Sequence, residues 1–315
     1  MTPTFFAHHI SENQEIICVL DKSETPIEFF IYRKNQLNLD EVVSGKVTSF
    51  HPSLKGYFIT TNKEKQIFVP TDQPLEEGKT VNVLVTKEAR LEKEATGQLT
   101  DAPISTTNLK QVVAKKYPTA TQQITIDWSS LIEESLDKEI TFANGASLII
   151  ERTHACWTID IDSGKSDLPF NKINKQALEL IFKQIQLKNI SGMILVDFIG
   201  SKSFKEKQNL LKEIKPLFQS DNRTRIYDFT KMNLLELKRK TTSTSLIDLF
   251  YTKKGNKTTD YLLLLIKTEL MQQKTKCCLK IHPSLLPSIT NEIKSLADIV
   301  TDLNIQPNDF ELKEI

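Results

Sequence analysis

Glycine is scarce in this chain, with 9 among 315 residues, so glycine-dependent motifs are thinned out. Cysteine is rarer still. Cys18, Cys156, Cys277 and Cys278 show no paired framework spacing, which excludes a disulfide scaffold and suits a reducing cytoplasm. Long apolar runs are missing too. The longest, residues 193–199 and 261–266, fall far short of the roughly 20 residues a membrane helix needs, so no membrane partner is expected. The first twelve residues carry two histidines and no basic segment leading into an apolar one, so they do not read as a signal peptide. Charge of one sign is also lacking. The formal net charge is +1, so an anionic partner would have to meet a local basic surface rather than a global field.

What is present is ordinary globular material. Hydrophobic residues make up 39%, enough to bury a core in two modest domains or one large one. The first hundred residues read as short strands at 16–20, 27–32, 41–49, 55–60, 66–69 and 80–87, separated by turn-prone pieces such as His51-Pro52-Ser53. Their close spacing predicts a small barrel. Residues 88–116 are polar and mixed and read as a linker. A helix is predicted at 128–136. Asn144-Gly145 between apolar runs then predicts a hairpin, followed by a strand at 155–161. Beyond it, helices at 173–187 and 204–218 alternate with strands at 193–199 and 224–229. A short helix is expected at 233–239 and a longer buried one at 261–271, with a strand, a helix and a last strand (310–315) in the tail. The fold class is α+β: a barrel at 1–102, a linker at 103–126, a mixed α/β domain at 127–275 and a small α/β segment at 276–315.

Chemistry concentrates in three places. In Trp157-Thr158-Ile159-Asp160-Ile161-Asp162, strand alternation sends both aspartates to one face. Two carboxylates there are costly without a counter-charge, which a magnesium or manganese ion would supply; they are equally compatible with solvated strand-end acids. Asp197 ends an apolar strand, where either a metal or a paired cation would satisfy it. Residues 201–240 hold eleven basic against five acidic side chains, a surface suited to phosphate or simply a solvated helix face. Tyr57, Phe58 and Phe68 lie on neighbouring strands of the first domain. They suit core packing or base stacking, and alternation allows only one of Tyr57 and Phe58 to share a face with Phe68.

Taken together these segments resemble the ribonuclease E/G family. Residues 136–165 resemble its hairpin leading into an acid-bearing strand, and 191–200 its second acid strand. Residues 221–226 and 231–239 resemble two further basic motifs, all in the family's order and spacing. Ser44-Gly45-Lys46-Val47, residues 55–59 and Val85-Thr86-Lys87-Glu88 are similar to its OB-fold RNA-binding module. The resemblance implies an endoribonuclease that hydrolyses single-stranded RNA. Asp160 and Asp197 would be the metal ligands, Mg2+ or else Mn2+. Asp162 would stand where the family has an asparagine that orients phosphate, and Arg225 would neutralise developing charge. It also implies RNA contacts by Phe58, Phe68, Lys93, Lys231 and Arg239.

Two departures stand out: Asp162 in place of asparagine, and Gly200 in place of a second acid. The space before the hairpin is too short for the family's 5′-monophosphate sensor, so cutting independent of the 5′ end is expected. The family's Cys-Pro-x-Cys zinc link is missing, and adjacent Cys277-Cys278 cannot replace it, so neither structural zinc nor a zinc-linked tetramer is expected. The departures keep two other functions open: an RNA-binding protein whose nuclease site has decayed, and an assembly partner within a ribonucleoprotein.

Overall fold

The computed structural model describes residues 3–90, 93–200, 203–252, 254–273, 275 and 277–314. Ser201 and Lys202 of the basic run, and Ile315 of the last predicted strand, lie outside the described residues. The chain folds as two compact units, each made of separated segments. One contains residues 37–107 and 136–245; the other contains 1–36, 108–135 and 246–315.

The first of these units holds the barrel and the acid-bearing sheet. Five strands, Val42–His51, Gly56–Thr61, Gln66–Pro70, Thr80–Lys87 and Ala95–Leu99, close into an OB-like barrel. Alternation along them drives the closure. Val47, Tyr57, Ile59, Ile67, Val69, Val83 and Val85 fill the interior while their neighbours face outward. Gly97 is obligatory on steric grounds, because a Cβ there would meet Val83 Cγ1 at 2.3 Å.

The barrel is tied to the second half of its unit through Glu88. Its backbone N–H donates to Thr242 O at 2.8 Å, and its carboxylate accepts from the N–H groups of Leu39 and Thr244. That half is a six-stranded mixed sheet. Glu139–Thr141 and Ser147–Arg152 form the expected hairpin around Asn144-Gly145, with Gly145 at φ +86. Trp157–Asp162, the helix Phe170–Leu187 and Gly192–Asp197 form a crossover unit with parallel strands. Thr224–Phe229 and Leu235–Arg239 complete the sheet, with Leu235–Arg239 lying between Gly192–Asp197 and Thr224–Phe229. The segment expected as a short helix at 233–239 is therefore a strand from 235 onward: Leu235 and Leu237 alternate with exposed Glu236 and Lys238, and Asn233 makes the turn before it with φ +67.

In the other unit, Pro3–Ile10, Gln14–Asp21 and Pro26–Arg33 form an antiparallel sheet extended by Gln122–Ile124. Sequence placed the strands at 16–20 and 27–32 in the barrel; they belong here instead. The continuous apolar run is the reason, since Ile16–Leu20 is buried on both faces, with Leu109 and Val113 of the helix Leu109–Lys116 packed against Ile17 and Val19. A barrel strand would alternate. This unit also holds the helix Trp128–Leu136, the buried helix Thr259–Gln272 and a three-stranded sheet centred on Cys277–Ile281, the last two sharing one core. Cys277 is buried in that core and its neighbour Cys278 is half-buried.

Candidate functional site

The crossover between the two parallel strands brings distant acids together. Both strands run the same way, so their C-terminal ends share one edge of the sheet, the place where α/β sheets present functional groups. Asp160 and Asp197 are register partners, which puts their Cα atoms roughly 4.8 Å apart. Both are exposed, while the intervening Ile159, Ile161, Ile194 and Val196 are buried against the helical face. Partial burial pushes the Asp197 carboxyl up from its ordinary range, and the charge of Asp160 adds to that push. Among the described residues neither acid has an ion-pair partner. Asp162 shares their face, as alternation requires, but one of its carboxylate oxygens accepts the Gly164 N–H at 2.8 Å and so fixes the turn after the strand.

The loop after Asp197 is held by a residue that sequence reasoning passed over. Asn174, buried in the helix Phe170–Leu187, donates to Ile199 O at 2.8 Å and accepts from Ile199 N–H at 3.2 Å. Its signal was available, because it is a polar residue on the apolar face of an amphipathic helix. One turn earlier, the Phe170 ring lies over Gly200. A Cβ at Gly200 would meet Phe170 Cδ2 at 2.8 Å. Position 200, where the sequence resemblance would place an acid, is thus a glycine under an aromatic ring.

Two of the predicted basic residues are not beside the acids. Arg239 is 1% exposed. Its guanidinium donates to Asp221 Oδ2 at 2.7 Å, Asn189 Oδ1 at 3.0 Å and Ile190 O at 2.9 Å, so it is an interior strut rather than an RNA contact. It has the parity of Leu235 and Leu237 and must face inward with them. Arg225 is exposed on the solvent face but lies opposite Lys238, which in turn pairs with Met193. Two strands across and four residues back from Asp197 is a separation of roughly 16 Å. At that distance Arg225 cannot neutralise charge between the acids. Lys231 is exposed in the turn between the last two strands of the sheet.

On the barrel, Phe58 and Phe68 are register partners on the outer face, ring centroids 5.3 Å apart, while Tyr57 points into the core and accepts the Leu75 N–H on its hydroxyl. The row continues through Thr96 to Lys87. Burial pushes the Lys87 ammonium down, and Arg90 and Lys93 push it further. Half-buried aromatics beside a small cationic cluster form a surface able to stack flat rings and meet anions.

Fold and site together define an α+β protein that joins an OB-like barrel to a mixed sheet carrying an acid pair. The chain matches the ribonuclease E/G family over residues 73–242, and it belongs to that family. It is 33% identical over 123 residues to Ribonuclease G of Haemophilus influenzae, covering 36% of this chain and 25% of that protein. Over 129 residues it is 33% identical to Ribonuclease E of Synechocystis, covering 39% and 19%. For Ribonuclease G of Escherichia coli the identity is 29% over 128 residues, covering 38% and 26%. The aligned region thus spans about a quarter or less of these curated relatives. Among the described residues, no helix is long and apolar enough to cross a membrane.

Proposed function

We propose that the protein is an endoribonuclease that hydrolyses single-stranded RNA with a divalent metal ion between Asp160 and Asp197, in RNA processing or decay in the cytoplasm. The observation that carries this reading is the in-register pair of exposed carboxylates, neither of which has an ion-pair partner among the described residues. Like charges placed in register disfavour one another. The fold gains nothing from their juxtaposition, whereas a cation between them would turn the repulsion into attraction. The donor set also fits the ion. No group of three or more His, Cys, Asp or Glu side chains is assembled for a metal among the described residues. Magnesium does not need one, since it is commonly held by one or two carboxylates, with waters and substrate phosphate filling the remaining positions. Such an ion supplies Lewis-acid polarisation of phosphate and a more acidic water.

The chain's own residues then have distinct tasks. Asp160 and Asp197 hold the charge. Asp162 fixes the turn through Gly164, and Asn174 fixes the loop behind Asp197. Phe58 and Phe68 stack bases of the incoming strand, with Lys93 meeting its phosphates and Lys231 free to do the same.

The test compares an end-labelled A/U-rich single-stranded RNA in magnesium, in chelator, and with Asp197→Asn. Cleavage should need the metal and fall about 1000-fold in the variant, the loss of several kcal/mol of charge stabilisation. The exchange of the family acid for Gly200 under Phe170 favours a second reading, an RNA-binding protein whose site has decayed. Tight RNA binding with no cleavage in any divalent metal would establish that reading instead.

A further inference from the structure

The solvent face of the six-stranded sheet is divided by charge. Its acidic end carries Asp160, Asp162 and Asp197. The opposite end carries Arg225 and Lys238, which are register partners on the same face, with exposed Lys240 just beyond them. Two cations directly across an antiparallel pair repel one another. Neither has an ion pair among the described residues. Arg225 instead lies over the ring of Tyr227, 4.9 Å from its centroid, and Tyr227 is 39% exposed. Met193, in the same row as Lys238, is 53% exposed. An apolar sulfur and an aromatic ring thus sit uncovered beside two unneutralised cations. Between the two ends lies exposed Glu236, which repels an anion passing over it.

Resting on the function proposed above, we infer that Arg225, Lys238, Tyr227 and Met193 form a second RNA subsite, one that grips the strand away from the bond being cut. The spacing fixes its reach. The roughly 16 Å from Asp197 corresponds to about five nucleotides at a rise of ~3.4 Å per phosphate, and fewer where the strand is extended. Arg225 and Lys238 meet phosphates, and a base stacks on Tyr227 or Met193. The acid pair does the chemistry and the cationic end sets the minimum substrate length, so that long single strands are preferred over short ones. This differs in kind from a charge-stabilising role for Arg225, because it acts through binding alone.

The experiment uses the full chain and two A/U-rich RNAs, one of about four nucleotides cut at its centre and one of about fourteen. The double variant R225A/K238A should lose about tenfold in kcat/KM on the longer RNA, through KM, and nothing on the shorter. Its salt dependence on the longer RNA should weaken by about 1.4 in log–log slope, two single-strand phosphates' worth. R225K/K238R should keep most of the affinity, and Glu236→Gln should tighten binding of the longer RNA only. Equal losses on both RNAs, a loss confined to kcat, or no loss on the longer RNA would each overturn the inference while leaving the nuclease reading intact. A wild-type protein that neither binds nor cuts either RNA would overturn both.

Discussion

Asp197 and Asp221 lie within one compact unit, and their surroundings are opposite. Asp221 is buried. Its Oδ2 accepts from Arg239 at 2.7 Å, from Thr224 at 2.7 Å and from Gln186 at 3.0 Å, and its Oδ1 accepts the Arg223 N–H. Asp197 is exposed, faces a second carboxylate, and has its proton affinity raised by its setting. One acid is satisfied by the fold and the other is left with a debt. A buried charge that is fully hydrogen-bonded explains itself structurally. An exposed like-charge pair, held in register by two strands and a crossover helix, does not, and the function proposed above gives it a reason, a bound cation.

The sharpest way to test that contrast is to neutralise each acid in turn and read stability. Asp221→Asn leaves the Arg239 guanidinium buried without its counter-ion, and removing one partner of a buried pair costs about 3–5 kcal/mol. The melting temperature should fall by many degrees. Asp197→Asn removes repulsion and should leave the melting temperature unchanged or raise it, while cleavage falls about 1000-fold. Were the two substitutions to destabilise equally, Asp197 would be a structural residue and the comparison would collapse.

A third titratable group sharpens the comparison by being buried with one ring nitrogen left unpaired. His9 lies in the other unit at 8% exposure, its ring edge-on to Trp128 at 5.7 Å, and its Nε2 has no hydrogen-bond partner among the described residues. Burial pushes its pKa down to about 4; the Lys267 charge and His8 act in the same direction and Glu292 opposes them. The folded state therefore resists a proton that the unfolded chain takes up near pH 6.5. Stability is complete above that value and drains away as pH falls toward 4, by about 2–3 kcal/mol for this group. His9→Phe keeps the ring contact and should remove most of the difference in unfolding free energy between pH 7 and pH 4.5. An unchanged difference would mean that other groups carry the acid sensitivity.

Much of this was legible in the sequence, and where it was not, the reason is identifiable. Asn144-Gly145 announced its hairpin because only a positive φ fits there, and Asp160 and Asp162 announced a shared face because strand alternation allows nothing else. Phe58 joined Phe68, and Tyr57 went to the core, by the same rule. The stretch at 235–239 was read with the wrong period. Leu235, Leu237 and Arg239 alternate every second residue, and that pattern would have sent Arg239 inward as well. Register across strands was out of reach. Nothing local tells Arg225 that its row ends at Met193 rather than at Asp197, so its distance from the acids appears only once the strands are paired. The assignment of the strands at 16–20 and 27–32 to a second sheet likewise depends on which helix covers them.

The smallest effect concerns Gly200, where the sequence resemblance leads one to expect an acid. The residue has φ +65, a conformation that costs an L side chain roughly 1–2 kcal/mol. Phe170 lies where its Cβ would go, but that ring is 52% exposed and can swing outward, so the steric penalty adds little. Gly200→Ala should therefore destabilise by about 1–2 kcal/mol, and the same change in a Phe170→Ala background by nearly as much. Gly200→Asp adds a further carboxylate near Asp197, and this makes it informative. Without metal it should melt below Gly200→Ala, since it gathers like charges; with magnesium the order should reverse, because a cation between the acids turns repulsion into ligation. If magnesium shifts the two variants equally, position 200 is out of reach of the ion, and the acid pair works without help from that side of the loop.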